Sequence, residues 1–275
     1  MITQADKCHQ FADLHTQPDA FIIANPWDIG SALILQGLGF KALATTSGGF
    51  AFTLGQDDGA PSLAQKLEHC RSIASATRIP VNADFEDGYA TNPQSVAQNV
   101  EALIATGVAG CSIEDFDRQN KKLYDLSEAV ERLSAALEVA AKLDFPFTVT
   151  ARAEHLLRAG QDLDEVVTRL QAYEAAGADV LYAPGITSLE DLRTITSAIN
   201  KPFNMLGVTI PNATLQQFQE AGAQRVSIGG ALTYAAAKPI IEFGESMLNE
   251  GSFAWTSNMA SGRRISELFH AESDD

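Results

Sequence analysis

Pro80-Val81-Asn82-Ala83-Asp84-Phe85-Glu86-Asp87-Gly88-Tyr89 reads as an apolar, extended run that stops abruptly in carboxylates and then a glycine. About one strand-helix unit later, Gly110-Cys111-Ser112-Ile113-Glu114-Asp115 does the same. If both runs are neighbouring parallel strands, their acids stand together at the carboxyl ends, where α/β sheets and barrels place their active sites. Asp84 and Glu86 are two residues apart and are expected to point the same way on extended backbone. Clustered carboxylates repel one another unless a cation or shared protons compensate. The histidines, at positions 9, 15, 69, 155 and 270, form no pair at metal-ligand spacing. An all-oxygen set of Asp84, Glu86 and Glu114 therefore suits a hard divalent ion, Mg²⁺ with Mn²⁺ as the alternative, rather than zinc.

The rest of the chain repeats the same joint: a helix, a glycine, a short gap and an apolar strand. Gly39, Gly107, Gly177 and Gly222 each stand at such a joint, where a left-handed residue closes a helix before the chain turns into a strand. Eight strands are expected, beginning near Phe21, Lys41, Pro80, Gly110, Pro146, Asp179, Pro202 and Arg225. Helix starts are legible at Asn92-Pro93, at Asp125-Leu126-Ser127-Glu128 (read as a capping box), at Asp162 and at Ser188. Short apolar runs rather than strict alternation fit parallel strands covered by helices. Eight such units predict a (β/α)₈ TIM-type barrel. An open doubly wound sheet is the alternative, but no GxGxxG follows the first strand. No low-complexity linker interrupts the pattern, so residues 1–275 are expected to form a single domain.

Net charge bounds the partners. With 35 acidic against 19 basic residues, the formal charge is −16, which argues against nucleic acid and anionic membrane surfaces. Cys8, Cys70 and Cys111 make no even set and no CxxC pair; a reducing, cytoplasmic location without disulfides is expected. The first ten residues lack the apolar centre of a signal peptide.

Other residues extend the candidate site. Ser47-Gly48-Gly49 follows an apolar strand, and glycine-freed amides can cradle a carboxylate or phosphate. Ser227-Ile228-Gly229-Gly230 after the last strand has the same form. Residues 47–64 and 115–125 read as long connections at strand ends, the usual place for binding loops and lids. Arg152 ends the fifth strand, where it either stabilises a developing enolate or is braced by Glu154. Asn204 is a polar residue in an apolar strand and is either a ligand contact or a satisfied structural amide. Neither a Ser-His-Asp arrangement nor a strand-end lysine for a Schiff base is present; Lys201 precedes its strand.

The ordered segments Asn25-Pro26-Trp27-Asp28, Thr46-Ser47-Gly48-Gly49, Gln56-Asp57-Asp58-Gly59, Asn82 to Tyr89, Ser112-Ile113-Glu114-Asp115 and Thr150-Ala151-Arg152 resemble the isocitrate lyase/phosphoenolpyruvate mutase superfamily, from about Phe11 to about Phe269. The resemblance implies a Mg²⁺ barrel enzyme that forms homo-oligomers, usually tetramers, with residues 240–269 as a C-terminal helical segment swapped between subunits. It implies that Asp84 ligates the metal and that Glu86 and Glu114 reach it directly or through water. It also implies that Ser47 and Gly48 hold the substrate carboxylate, Asp58 supports the metal's water shell, Arg152 contacts substrate and Asn204 lines the pocket.

Departures from the family pattern narrow the reading. The cysteine- and histidine-bearing loop of the isocitrate and 2-methylisocitrate lyases is replaced by Asp117-Arg118-Gln119-Asn120-Lys121-Lys122-Leu123. The phosphonate-cleaving members carry a histidine near the end of the sixth strand, where this chain has Leu181-Tyr182-Ala183-Pro184-Gly185. The expected function is a Mg²⁺-dependent carbon–carbon lyase or decarboxylase of a small anionic 2-oxo or 2-hydroxy dicarboxylate, oxaloacetate-like and of the oxaloacetate decarboxylase branch. The alternatives are a phosphonopyruvate mutase or hydrolase, with Lys121 and Lys122 meeting the phosphonyl group, and a non-catalytic binding barrel.

Overall fold

The computed structural model describes residues 2–271; Met1 and residues 272–275 of the expected single domain lie outside them. Helix α1 (Gln4–Leu14) precedes β1 (Phe21–Ile23), α2 (Ile29–Gly37), β2 (Leu43–Ala44), α3 (Ser47–Thr53), α4 (Leu63–Ala76), β3 (Val81–Asp84), α5 (Pro93–Ile104) and β4 (Gly110–Glu114). A small hairpin, β5 (Phe116–Asp117) and β6 (Lys122–Leu123), leads into α6 (Leu126–Ala140), β7 (Thr148–Arg152), α7 (His155–Arg158), α8 (Leu163–Ala176), β8 (Val180–Tyr182), α9 (Leu189–Thr196) and β9 (Phe203–Leu206). The chain ends with α10 (Leu215–Glu220), β10 (Arg225–Ser227), α11 (Ala231–Glu250) and α12 (Gly262–Phe269).

All eight expected strands are present and parallel, in the order β1-β10-β9-β8-β7-β4-β3-β2. A parallel bridge between Ala24 and Leu43 joins the two edges, so the sheet closes into the (β/α)₈ barrel. The helix-closing glycines behave as their positions require. Gly177, for example, has φ 104°, a conformation that costs other residues about 1 kcal/mol or more. Asn92, Asp162 and Ser188 cap their helices with side-chain oxygens. Asp125 does not: it precedes α6 with no side-chain cap bond, so the expected capping box is absent there.

Both long connections carry structure of their own. Residues 47–53 are helical despite two glycines, because Thr46 caps the segment and Phe50 and Ala51 are buried. Residues 116–123 pair as a hairpin rather than forming a loop. The C-terminal part differs from the rest. Of α11, Thr233 is the buried residue, and Ile240, Ile241, Leu248 and, beyond the helix, Phe253 are more than half exposed. Helix α12 then returns to α2, where a Cβ at Gly37 would come within 2.2 Å of the Leu268 carbonyl oxygen; only glycine permits that approach. No helix among the described residues is long and apolar enough to cross a membrane.

Candidate active site

Asp84 is the last residue of β3 and lies at the carboxyl-end mouth of the barrel. Its Oδ2 accepts from the Ser47 backbone N–H at 3.0 Å, and its own N–H donates to Thr45 Oγ1 at 3.0 Å. Its Oδ1 is buried without a hydrogen-bond partner and lies 3.5 Å from Arg152 Nη1. The same Nη1 is 3.3 Å from Glu114 Oε2, while Arg152 Nε donates to Glu154 Oε1 at 2.6 Å. Glu154 therefore braces Arg152, as one of its two sequence readings expects, while Nη1 is turned to Asp84 and Glu114.

Glu86 reaches the cluster differently from the expectation. The strand ends at Asp84, and Glu86 takes φ 46°, followed by Gly88 at 79° and Tyr89 at 54°. A left-handed turn, not the pleat of an extended strand, brings Glu86 toward the mouth. Such non-glycine conformations cost about 1–3 kcal/mol and collect at functional sites. Here the turn is held by a bond from Glu114 N–H to Glu86 O (2.9 Å), by the Tyr89 hydroxyl donating to Glu86, and by Arg118 Nη1 at 3.2 Å from Glu86 Oε2. Arg118 comes from the hairpin and lies over the Tyr89 ring, 3.9 Å from its centroid.

The electrostatics separate these acids. Burial alone would raise Asp84, but Arg152, Lys66 and the Ser47 N–H together hold it below the ordinary carboxylate value. Glu86 is raised, chiefly by burial. Glu114 is pushed well up by burial and by the neighbouring Glu154, Asp84 and Glu86, against the pull of Arg152. Three carboxyls, those of Asp84, Glu86 and Glu114, come close enough to act on one another, and a buried Asp84 oxygen lacks a hydrogen-bond partner. A hard divalent ion fits that donor set. No three His, Cys, Asp or Glu side chains among the described residues form a ready-made cage. Asp84 has the buried oxygen that could take an ion, while Glu86 meets Arg118 and Glu114 meets Arg152.

A cavity of about 50 Å³ opens below the mouth, lined in part by Asp84, Arg152, Tyr182, Asn204, Arg225 and Ser227. Asn204 sits within it, donating to Ser227 Oγ at 3.0 Å and accepting from Arg225 Nε at 2.8 Å. Gly48 lies at the rim. A Cβ there would stand 3.6 Å from the exposed Asp58 carboxyl and 3.1 Å from the Tyr234 hydroxyl, so the missing side chain keeps that gap open. Ser47 contributes its amide to Asp84 rather than to open space. The second glycine-rich turn is likewise committed: the Ile228 and Gly229 N–H groups both donate to Asn25 Oδ1 at 3.0 Å.

Two acids of the opening motifs turn away from the mouth. Asp115 accepts from the Glu154 N–H (2.7 Å), Tyr173 (2.6 Å) and Arg169 (3.0 Å). Asp87 lies 3.6 Å from Arg118 Nε and accepts from Tyr124. They hold the walls on which Glu86 and Glu154 stand. Residues missed by the sequence reading are Lys66, wholly buried in α4 with Nζ 3.2 Å from Thr45 Oγ1, and Arg118, Tyr182 and Arg225. Lys66 gives no sign in the chain, since a lysine in an amphipathic helix is ordinarily solvated.

An acid-and-arginine cluster at the carboxyl end of a parallel barrel is the layout of a barrel enzyme. Its kinship is narrower: a family model described as phosphoenolpyruvate phosphomutase matches residues 11–248, and the chain belongs to that family. It is 33% identical over 208 residues to the 2-methylisocitrate lyase of Escherichia coli K12, covering 69% of each. It is 30% identical over 246 residues to the oxaloacetate decarboxylase of Chromohalobacter salexigens, covering 86% of this chain and 83% of that protein. Among solved structures, a candidate lyase/mutase from Burkholderia cenocepacia J2315 superposes with a TM-score of 0.93 at 42% identity, covering 97% of both chains.

Proposed function

We propose that this protein is a Mg²⁺-dependent carbon–carbon lyase or decarboxylase acting on a small 2-oxo or 2-hydroxy dicarboxylate of the oxaloacetate kind. The observation that carries the reading is the meeting of Asp84 and Arg152 on a small cavity that has no cysteine or histidine among its lining residues, with Glu114 on the same Arg152 nitrogen. A divalent ion bound at Asp84 would polarise substrate oxygens and carry part of the developing negative charge. Arg152, held by Glu154, presents its guanidinium to an oxyanion that grows as a carbon–carbon bond breaks. In decarboxylation the electrons of the breaking bond pass to the carbonyl oxygen, so the step needs no base. Tyr182, its hydroxyl pushed up to about 12 mainly by burial, keeps a proton at Oη beside the cavity, from which the enolate carbon can be protonated. Its similarity to a 2-methylisocitrate lyase and to an oxaloacetate decarboxylase supports this class of reaction.

The phosphonate alternative has the family model's own description in its favour. Against it, Lys121 and Lys122 are exposed on the hairpin and are not among the cavity's lining residues. The test is a panel of oxaloacetate, 2,3-dimethylmalate, 2-methylisocitrate and phosphonopyruvate, each with Mg²⁺ and with EDTA. The expected result is CO₂ or a carbonyl product from one carboxylate substrate, abolished by EDTA. Release of phosphate or a phosphoryl product from phosphonopyruvate would favour the alternative, and silence throughout would favour a binding barrel.

The proposal also makes the thiols dispensable. Cys8, Cys70 and Cys111 are wholly buried, and burial raises all three. A triple Cys→Ala variant, chosen because buried serine hydroxyls would need new partners, is expected to retain turnover per folded molecule within about twofold, allowing for the stability lost to small cavities. Loss of turnover in a folded variant would bring back a cysteine acid/base. The exposed apolar residues of α11 and the segment after it support a homo-oligomer in which residues 240–269 meet a neighbouring subunit; sedimentation equilibrium of the full chain against one truncated before Ile240 tests this.

A further inference from the structure

The barrel interior below the site is unusually polar. Barrel cores are ordinarily filled by branched apolar side chains, but here Asn82, Ser112, Thr150, Asn204 and Arg225 are all buried. Arg225 stands out among them. It is 3% exposed, and among the described residues no carboxylate oxygen lies within 4.0 Å of its nitrogens. Each guanidinium nitrogen instead meets a neutral acceptor. Nε donates to Asn204 Oδ1 at 2.8 Å, Nη2 to Thr150 Oγ1 at 3.1 Å, and Nη1 lies 3.2 Å from His15 Nε2.

His15 is a neutral partner. Its Nδ1 is 2.7 Å from the Phe11 carbonyl oxygen, so the ring proton sits on Nδ1, leaving Nε2 to accept from Arg225. Burial, with Arg225 beside it, brings His15 down to about 3. Burial likewise lowers Arg225 to about 9, which leaves it cationic at neutral pH. A buried charge without a counter-charge is expensive to keep. Arg225 also borders the substrate cavity. Its bond to Asn204 fixes that amide with oxygen down and nitrogen toward Ser227.

We propose that Arg225 is a specificity-determining positioning residue: an unneutralised cation beneath the cavity that holds Asn204 in one orientation and favours ligands carrying two negative charges over those carrying one. The inference rests on the carboxylate-substrate reading above and adds how that site would select a dianion. A buried unit charge about 10 Å from a ligand charge, at an effective dielectric constant of about 20, changes affinity on the order of tenfold per ligand charge.

The test measures calorimetric affinities for oxalate, a dianion, and pyruvate, a monoanion, with Mg²⁺ and the full chain. Arg225→Gln removes the charge but keeps a donor for Asn204. It is expected to lower the oxalate-to-pyruvate preference about tenfold. Arg225→Lys keeps the charge and loses the planar fork; it is expected to preserve the preference while lowering kcat. An unchanged preference in a folded Arg225→Gln protein would overturn the proposal and leave Arg225 as barrel packing. If circular dichroism shows that Arg225→Gln does not fold, Arg225→Met takes its place, because it removes the charge at similar volume and adds none to the cavity. The same loss of preference is then expected, and an unchanged ratio again overturns the proposal. A wild-type protein that binds neither anion overturns the carboxylate-substrate reading itself, and this inference with it.

Discussion

Asp84→Asn is expected to lower turnover by at least about 10²-fold and to leave whatever activity remains indifferent to EDTA. Even outer partners of metal ligands typically cost 10–100-fold in metal affinity or activity, and Asp84 is the residue with an open position. Its Oδ2 is held by the Ser47 amide, and its buried Oδ1 has no hydrogen-bond partner. Asparagine keeps the volume and can still accept from Ser47, so the substitution isolates the charge. Arg152 retains Glu154 and Glu114 as counter-charges, and the fold should survive. The measurements are kcat with and without EDTA, Mg²⁺ affinity by calorimetry, and melting temperature. Undiminished, EDTA-sensitive turnover in Asp84→Asn would remove Asp84 from the proposed metal site.

The barrel was legible because its signals are local. Gly39, Gly107, Gly177 and Gly222 each end a helix in the left-handed region, at φ between 92° and 104°, and a short apolar run follows every one. Asp84, Glu114 and Arg152 were legible because each ends such a run. What stayed hidden depends on contacts far apart in sequence. Arg225 opens the last strand, and its partners Asn204, Thr150 and His15 are 21, 75 and 210 residues away. Only barrel closure makes it part of the site. Lys66 is hidden for the same reason, since a helix pattern cannot show that one lysine points through the wall to Thr45.

Local rules also failed where packing overrode them. Glycines at 48 and 49 argue against a helix by propensity, but the Thr46 cap and the burial of Phe50 carry one. The two-residue period assigned Glu86 to a strand that had already ended. The turn that actually places it is held by Tyr89, Arg118 and the Glu114 amide, none of which the spacing of Asp84 and Glu86 reveals.

Arg152→Lys is expected to lower kcat on the order of 10²-fold while changing KM by less, because an oxyanion stabiliser acts mainly in the transition state. Lysine keeps the charge but cannot make the two-sided contact seen here, with Nε on Glu154 at 2.6 Å and Nη1 facing Asp84 and Glu114 at 3.5 and 3.3 Å. A single ammonium must choose one side. If it stays with Glu154, which is fully buried, the mouth loses its cation. If it turns to Asp84, Glu154 keeps only Arg158, at 2.9 Å. The opposing view is that Arg152 is a brace, needed to neutralise Glu154 and to hold β7 against its neighbours. Breaking a buried pair by removing one partner costs about 3–5 kcal/mol, so that view places the damage in melting temperature and leaves turnover per folded molecule intact. Measuring kcat, KM and melting temperature on one preparation separates the two: a destabilised protein with normal kcat would make Arg152 a structural residue, whereas a cooperative fold with kcat reduced about a hundredfold places its guanidinium against the reacting oxygen.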